Sequence, residues 1–262
     1  MKRAFQIAVL AVLIGGLAHP HAQAAERWVP VTSDQLHLQL AGKFHLPRWA
    51  TVVEIDGADS SQEQVRALQQ SGRRVVCYLS AGSIESFRDD VSELPDVIVG
   101  KPLANWPDER WLDVRRTDVL VPWITKRVQG CARKGFDGVE FDNMDAYENQ
   151  TGFAITQDDQ LLYANLLATI AHAHGLAAGL KNAPKLASAL ATTFDWAIVE
   201  QCVEYVFCES YRPFLHLGKP VFIIEYRKQQ AKACRIAASI GAQLQVKRVS
   251  LDAWTRPCPS GP

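Results

Sequence analysis

Three observations predict an α/β fold built as a single (β/α)8 TIM-type barrel, somewhat irregular at its first strands. Short apolar runs alternate with amphipathic stretches along the chain, eight such runs fit within one domain, and almost every run ends in an ionisable or hydrogen-bonding residue. The strand-like runs cover residues 36–40, 51–55, 74–79, 138–142, 177–180, 195–200, 220–225 and 244–249. Helical patterns fill most of the intervals, at 60–71, 117–134, 157–174, 184–192 and 228–241. Thr156 before Gln157 reads as a helix cap, and Gly175 after His174 as a helix stop. The first two runs are joined by a segment too short for a full helix, hence the irregular start. A doubly wound open sheet is the alternative, and the lack of a Gly-rich phosphate loop after the first run weighs against it.

Residues 1–24 are read as a secretory signal peptide and 25–262 as the barrel domain. Lys2 and Arg3 give a basic start, Ile7 to Leu17 an apolar centre, and Ala22-Gln23-Ala24 a small-x-small cleavage site. The apolar centre is shorter than the roughly 20 residues of a membrane span, and no Cys follows the cleavage site to carry a lipid. The expected protein is therefore secreted or periplasmic, and monomeric. With 28 basic and 28 acidic residues the whole chain is formally neutral, which argues against a nucleic-acid partner. An oxidising compartment makes the six cysteines candidates for disulfides. Their 15 possible connectivities stay open; spacing suggests Cys202–Cys208 and Cys234–Cys258, and strand parity suggests Cys77–Cys131. No C-x-x-C spacing points to a metal.

A barrel gathers the C-terminal ends of its strands into one mouth, where such enzymes keep their active sites. There the sequence puts Glu54 and Asp56, Tyr78 and Ser80, Asp142, Asn143 and Asp145, Lys181 and Asn182, Glu200, Glu225 and Tyr226. Side chains alternate along a strand. If Val139 and Phe141 face the outer helices, Glu140 and Asp142 face inward, and the same parity groups Gly179 with Lys181, Ile198 with Glu200, and Ile223 with Glu225. Glycoside cleavage needs two carboxyl groups flanking one bond, one as acid and one as nucleophile or base. Asp142 and Glu200 end apolar runs on separate strands, and isolated carboxylates are expensive to bury. They are the expected catalytic pair, with Asp142 as nucleophile or base and Glu200 as proton donor. Asp56, Tyr78, Arg88, Asn143, Asp145, Lys181, Asn182, Glu225 and Tyr226 are expected to bind substrate or tune the pair. His172 and His174, two apart on one helix, cannot share a face as metal ligands; no metal or cofactor is implied.

The ordered blocks carry a resemblance. Val76-Cys77-Tyr78-Leu79-Ser80-Ala81-Gly82-Ser83-Ile84-Glu85 with Arg88, Trp111-Leu112-Asp113-Val114-Arg115, and Gly135 through Asp145 resemble motifs of glycoside hydrolase family 114. The likeness continues through Gly152-Phe153, Ala171-His172, Gly179 to Asn182, Glu200-Gln201-Cys202 and Glu225-Tyr226. It implies a barrel endo-α-1,4-polygalactosaminidase with an acidic catalytic pair at Asp142 and Glu200. Phe141 departs from the Pro more usual in that family.

A de-acetylated galactosamine polymer is cationic, and an acid-rich mouth concentrates cations. Trp106, Trp111, Tyr147 and Tyr226 are candidate platforms for sugar rings. The expectation is thus an exported, endo-acting glycoside hydrolase of an α-1,4-linked galactosamine polymer. A hydrolase of another α-linked polysaccharide, or a non-catalytic polysaccharide-binding barrel, are the alternatives.

Overall fold

The structure, a computed structural model, describes residues 27–226 and 230–259. The segment read as a signal peptide lies outside the described residues, as do residues 228 and 229 of the last expected helix. Nine strands form one sheet in the order β1 (Leu36–Leu38), β2 (Val52–Asp56), β3 (Arg74–Ser80), β7 (Gly138–Asp142), β8 (Ala177–Lys181), β9 (Trp196–Glu200), β10 (Val221–Glu225), β11 (Gln243–Lys247) and β12 (Thr255–Pro257). All neighbours are parallel except β11 and β12. The first eight curl into a nearly closed barrel. Side chains and loops bridge the seam between its first and last strands: Gln245 Nε2 donates to Leu36 O at 3.0 Å, and the Leu40 and Ala41 amides donate to Leu251 O.

Six helices cover the outside: α1 (Gln62–Gln70), α2 (Thr117–Lys134), α3 (Gln157–Ala173), α4 (Ala187–Leu190), α5 (Arg212–His216) and α6 (Gln230–Ile240). Thr156 and Asp159 form a reciprocal capping box on α3, and Gly175 follows its end at φ 74°, both as the sequence indicates. No helix joins β1 to β2. The expected helix 184–192 contracts to four residues, and α5 was not anticipated. A second, antiparallel sheet of β4 (Ser83–Glu85), β6 (Trp106–Leu112) and β5 (Val99–Leu103) also escaped the sequence reading. β4 is buried but only three residues long, and the half-exposed, polar β5 and β6 lack the apolar pattern that marks a barrel strand.

Burial separates two apolar layers as strand parity requires. Val53, Ile55, Val75, Cys77, Val139, Phe141, Ala178, Leu180, Val199 and Ile223 pack outward against the helices. Leu36, Leu38, Val52, Val76, Ala177, Trp196, Ile198, Phe222 and Ile224 fill the barrel interior. Ile223 and Glu225 share a face as expected, but it is the outer one. Trp196 explains two glycines: a Cβ on Gly179 would stand 2.3 Å from its indole, and one on Gly138 2.8 Å. All three suggested disulfides are present. Cys77–Cys131 ties β3 to α2, Cys202–Cys208 closes the loop after β9, and Cys234–Cys258 ties α6 to the tail beyond β12.

Gly179→Ala forces that Cβ into the indole and should lower stability by about 1–3 kcal/mol. In a Trp196→Leu background the same change should cost less, because residues in contact are not additive. Urea unfolding of the four proteins checks the coupling.

Candidate active site

Three neighbouring strands end in the same backbone device. The residue after Asp142 on β7, after Lys181 on β8 and after Glu200 on β9 takes a left-handed conformation: Asn143 at φ 61°, Asn182 at 50° and Gln201 at 55°. Asn tolerates this region better than most residues, and such strain persists where the surroundings impose it. The chain therefore turns sharply away as soon as each functional side chain has been delivered to the mouth. The two Asn side chains brace the turns. Asn182 Oδ1 accepts the Glu200 N–H at 2.9 Å, and Asn143 Nδ2 donates to Ser80 Oγ, Ser83 Oγ and Glu109 Oε2.

At the centre stands Lys181, 1% exposed. Its Nζ lies 3.5 Å from Asp142 Oδ2, 3.5 Å from Glu200 Oε1 and 3.6 Å from Glu140 Oε1. Burial pulls this ammonium toward neutrality, but the Asp142, Glu140 and Glu200 carboxylates outweigh it and hold the group charged. Both bridged oxygens of Asp142 and Glu200 are 3.5 Å from one nitrogen, so they lie within about 7 Å of each other. Each acid also has its own phenol: Tyr78 OH donates to Asp142 Oδ2 at 3.1 Å, and Tyr226 OH donates to Glu200 Oε1. Asp142 and Glu200 keep 19% and 22% side-chain exposure, whereas Glu140 has none. The pair is open to solvent at the mouth, and the groups beneath it are closed off.

Below the pair lie Glu140 and Glu54, both fully buried. The sequence reading placed Glu140 inward and Glu54 at the mouth, and named neither among the site residues. Burial, reinforced by Glu140, raises the Glu54 carboxyl far above the usual range. At the mouth, burial first and Asp142 second push Asp145 up to about 6. Glu109, on β6, was missed altogether. It reaches across to accept from Ser83 Oγ at 2.6 Å and from Asn143, and burial raises its carboxyl as well. No local sequence signal marks it, because it arrives on the second sheet.

Other expected site residues have committed partners. Arg88 donates to both Asp56 oxygens, at 2.6 and 3.1 Å, and to both Glu85 oxygens at 2.8 Å. Asp56 further accepts the Ala58 and Asp59 amides. Arg88 and Asp56 thus brace the end of β2 to the segment after β4. Glu225, on the outer face of β10, accepts the Val203 N–H at 2.8 Å and anchors the disulfide-closed loop that carries exposed Tyr205 and Val206. Trp111 is core rather than platform, while Trp106 is exposed and Tyr147 half-buried. His172 faces the Asp195 carboxylate at 2.8 Å, beside Arg27. Among the described residues no cluster of three or more His, Cys, Asp or Glu is arranged to hold a metal, and no helix is long and apolar enough to cross a membrane.

A carboxyl pair on a shared ammonium at a barrel mouth fits glycoside chemistry, and the model of glycoside-hydrolase family GH114 matches residues 18–261. The chain belongs to that family. This GH114 chain is a glycoside hydrolase, similar to the crystal structure of Ega3 from Aspergillus fumigatus in complex with galactosamine. The two share 31% identity and a TM-score of 0.84 over 90% of this chain and 100% of that one. The glycoside hydrolase domain of PelA from Pseudomonas aeruginosa shares the fold at 16% identity and a TM-score of 0.64, over 84% of this chain and 97% of that one. A protein of Deinococcus radiodurans, described only as uncharacterized, is 29% identical over 221 residues, 75% of this chain and 71% of its own.

Lys181→Met should destabilise the GH114 barrel by about 3–5 kcal/mol, since it strips buried Glu140 of its counter-charge. Denaturant midpoints at neutral pH measure this, and a loss under 1 kcal/mol contradicts the clamp.

Proposed function

We propose that the protein is an exported, endo-acting hydrolase of α-1,4-linked galactosamine polymers that works by retention, with Asp142 as nucleophile and Glu200 as acid and base. The observation that carries this reading is the meeting of two partly exposed carboxyl groups on one buried ammonium. Their separation of at most about 7 Å covers the roughly 5 Å of retaining enzymes and touches only the lower edge of the inverting range.

In the first step Glu200 gives its proton to the glycosidic oxygen as the C1–O bond breaks. The Asp142 carboxylate attacks C1 from the opposite face and forms a glycosyl ester. Glu200, now a carboxylate, takes a proton from water, and that water attacks C1, releases the sugar and frees Asp142. Lys181 steadies negative charge on whichever acid carries it. The Tyr226 phenol keeps Glu200 in place for both of its roles.

Polymer identity rests on charge. Asp142, Asp145, Glu200 and Glu109 crowd the mouth, where Lys181 is already matched by carboxylates. An ammonium-bearing sugar complements such a surface and an acetylated one does not. The galactosamine bound by Ega3 agrees with this. Exposed Trp106 and the half-buried Tyr147 and Tyr226 offer faces for neighbouring rings. Three disulfides fit export through the 1–24 segment.

Asp142→Asn and Glu200→Gln should each lower kcat by about 10²–10⁴ while leaving the fold intact. Mass detection of fragments from de-acetylated galactosamine oligomers, the acetylated polymer and an α-galactan tests substrate and residues together. Cleavage of the galactan alone points to a different hydrolase, and binding without cleavage to a non-catalytic barrel. Proton NMR of the first-formed product should find the α-anomer; an initial β-anomer excludes Asp142 as nucleophile.

A further inference from the structure

Two carboxyl groups lie deeper in the barrel than chemistry requires. Glu54 on β2 and Glu140 on β7 are both 0% exposed. Among the described residues neither carboxyl has a hydrogen-bond partner other than what the two offer each other. Two buried carboxylates in contact cannot both stay ionised, so at least one proton sits between them. On its other side Glu140 Oε1 faces Lys181 Nζ at 3.6 Å, and that ammonium touches Asp142 and Glu200. A chain of charge therefore runs from Glu54 through Glu140 and Lys181 to the catalytic pair.

We propose that Glu54 and Glu140 are positioning residues: a buried pair that shares one proton and, through Lys181, sets how far into alkaline solution turnover persists. This deepens the proposed function and rests on the role given there to Glu200. The charged groups facing the pair are Asp142 from β7, Lys181 from β8 and Glu200 from β9, while Tyr78 from β3 and Tyr226 after β10 face Lys181 and the acids above it. From β1 and β10 the barrel interior receives only Leu36, Leu38, Phe222 and Ile224. Lys247 of β11 gives its ammonium to Asp252 O instead.

The sign follows from the order of ionisation. Burial and the neighbouring Glu140 raise Glu54 far above the usual carboxylate range, so of the two it is the one that holds the shared proton. Burial pushes Glu140 up to about 7, with Lys181 opposing and Asp142 adding to the rise. As the pH climbs past that value Glu140 gains its charge, satisfied by Lys181 on one side and the Glu54 hydroxyl on the other. An ionised Glu140 adds negative charge around Lys181 directly beneath the catalytic pair, and activity then reaches further into alkaline solution. In acid solution Glu140 is neutral and exerts no such effect.

Glu140→Gln should move the alkaline limb of the kcat profile about 1 unit toward acid and leave the acid limb in place. Glu54→Gln still presents a donor to Glu140 and should keep the wild-type profile, whereas Glu54→Leu removes the donor and should behave like Glu140→Gln. An unmoved alkaline limb in Glu140→Gln, or equal shifts in Glu54→Gln and Glu54→Leu, would overturn the proposal. Infrared difference spectra of the wild-type protein give a test independent of turnover and of the variants' folding. One protonated carboxyl should persist above neutral pH and a second should lose its proton near neutrality; no protonated carboxyl above neutral pH also overturns it. Failure of the catalytic assignment would show instead as full activity in Asp142→Asn or Glu200→Gln, with the infrared signature intact.

Discussion

One buried ammonium organises this molecule. Lys181 sits where water cannot reach it, and an unpaired charge there is prohibitively costly. The carboxyl groups around it face the same difficulty in reverse. Glu140 and Asp142 come from β7 and Glu200 from β9, yet all three close on a single nitrogen of β8 within 3.6 Å. Each makes the others tolerable, and only the outer two remain open to a ligand. The catalytic floor and part of the barrel's interior are therefore one electrostatic object.

Barrel geometry permits this arrangement. Parallel strands in register deliver corresponding positions to the same height, so Glu140, Gly179 and Trp196 stand level along their ladders, and so do Lys181 and Ile198. The lower interior is apolar, built on Trp196 packed over two glycines. The upper interior is ionisable. Left-handed turns at Asn143, Asn182 and Gln201 end the strands abruptly, and the loops beyond are pinned from outside by the Glu225 acceptor and the Cys202–Cys208 bridge. Rigidity at the mouth thus comes from groups outside the acid pair, which fixes the spacing of the two acids.

Much of the fold was legible. All eight barrel strands fall on the apolar runs, because a strand buried on both faces writes itself as a continuous apolar segment. Thr156 and Gly175 marked their helix ends, because caps are local chemistry. The antiparallel sheet at 83–112 was not legible: β4 is too short to carry a pattern, β5 and β6 are half-exposed and polar, and their pairing is set by distant partners. Parity found Asp142, Lys181 and Glu200, but it could not assign Arg88 to Asp56 and Glu85, nor bring Glu109 to Asn143. Those contacts join residues that no periodicity relates.

The amino-acid order alone determined that this chain is a barrel, which side chains point into it, and that two acids on separate strands share its mouth. These properties depend on strand alternation and burial, which act over a few residues. Only the tertiary structure decided that one lysine serves three carboxylates, that Glu54 and Glu140 are both buried beneath the mouth, and that Glu225 holds a loop from the outer face. Such facts depend on distances between strands, and electrostatic energy at a few ångströms in a dry interior changes too steeply with separation to be read from spacing along a chain.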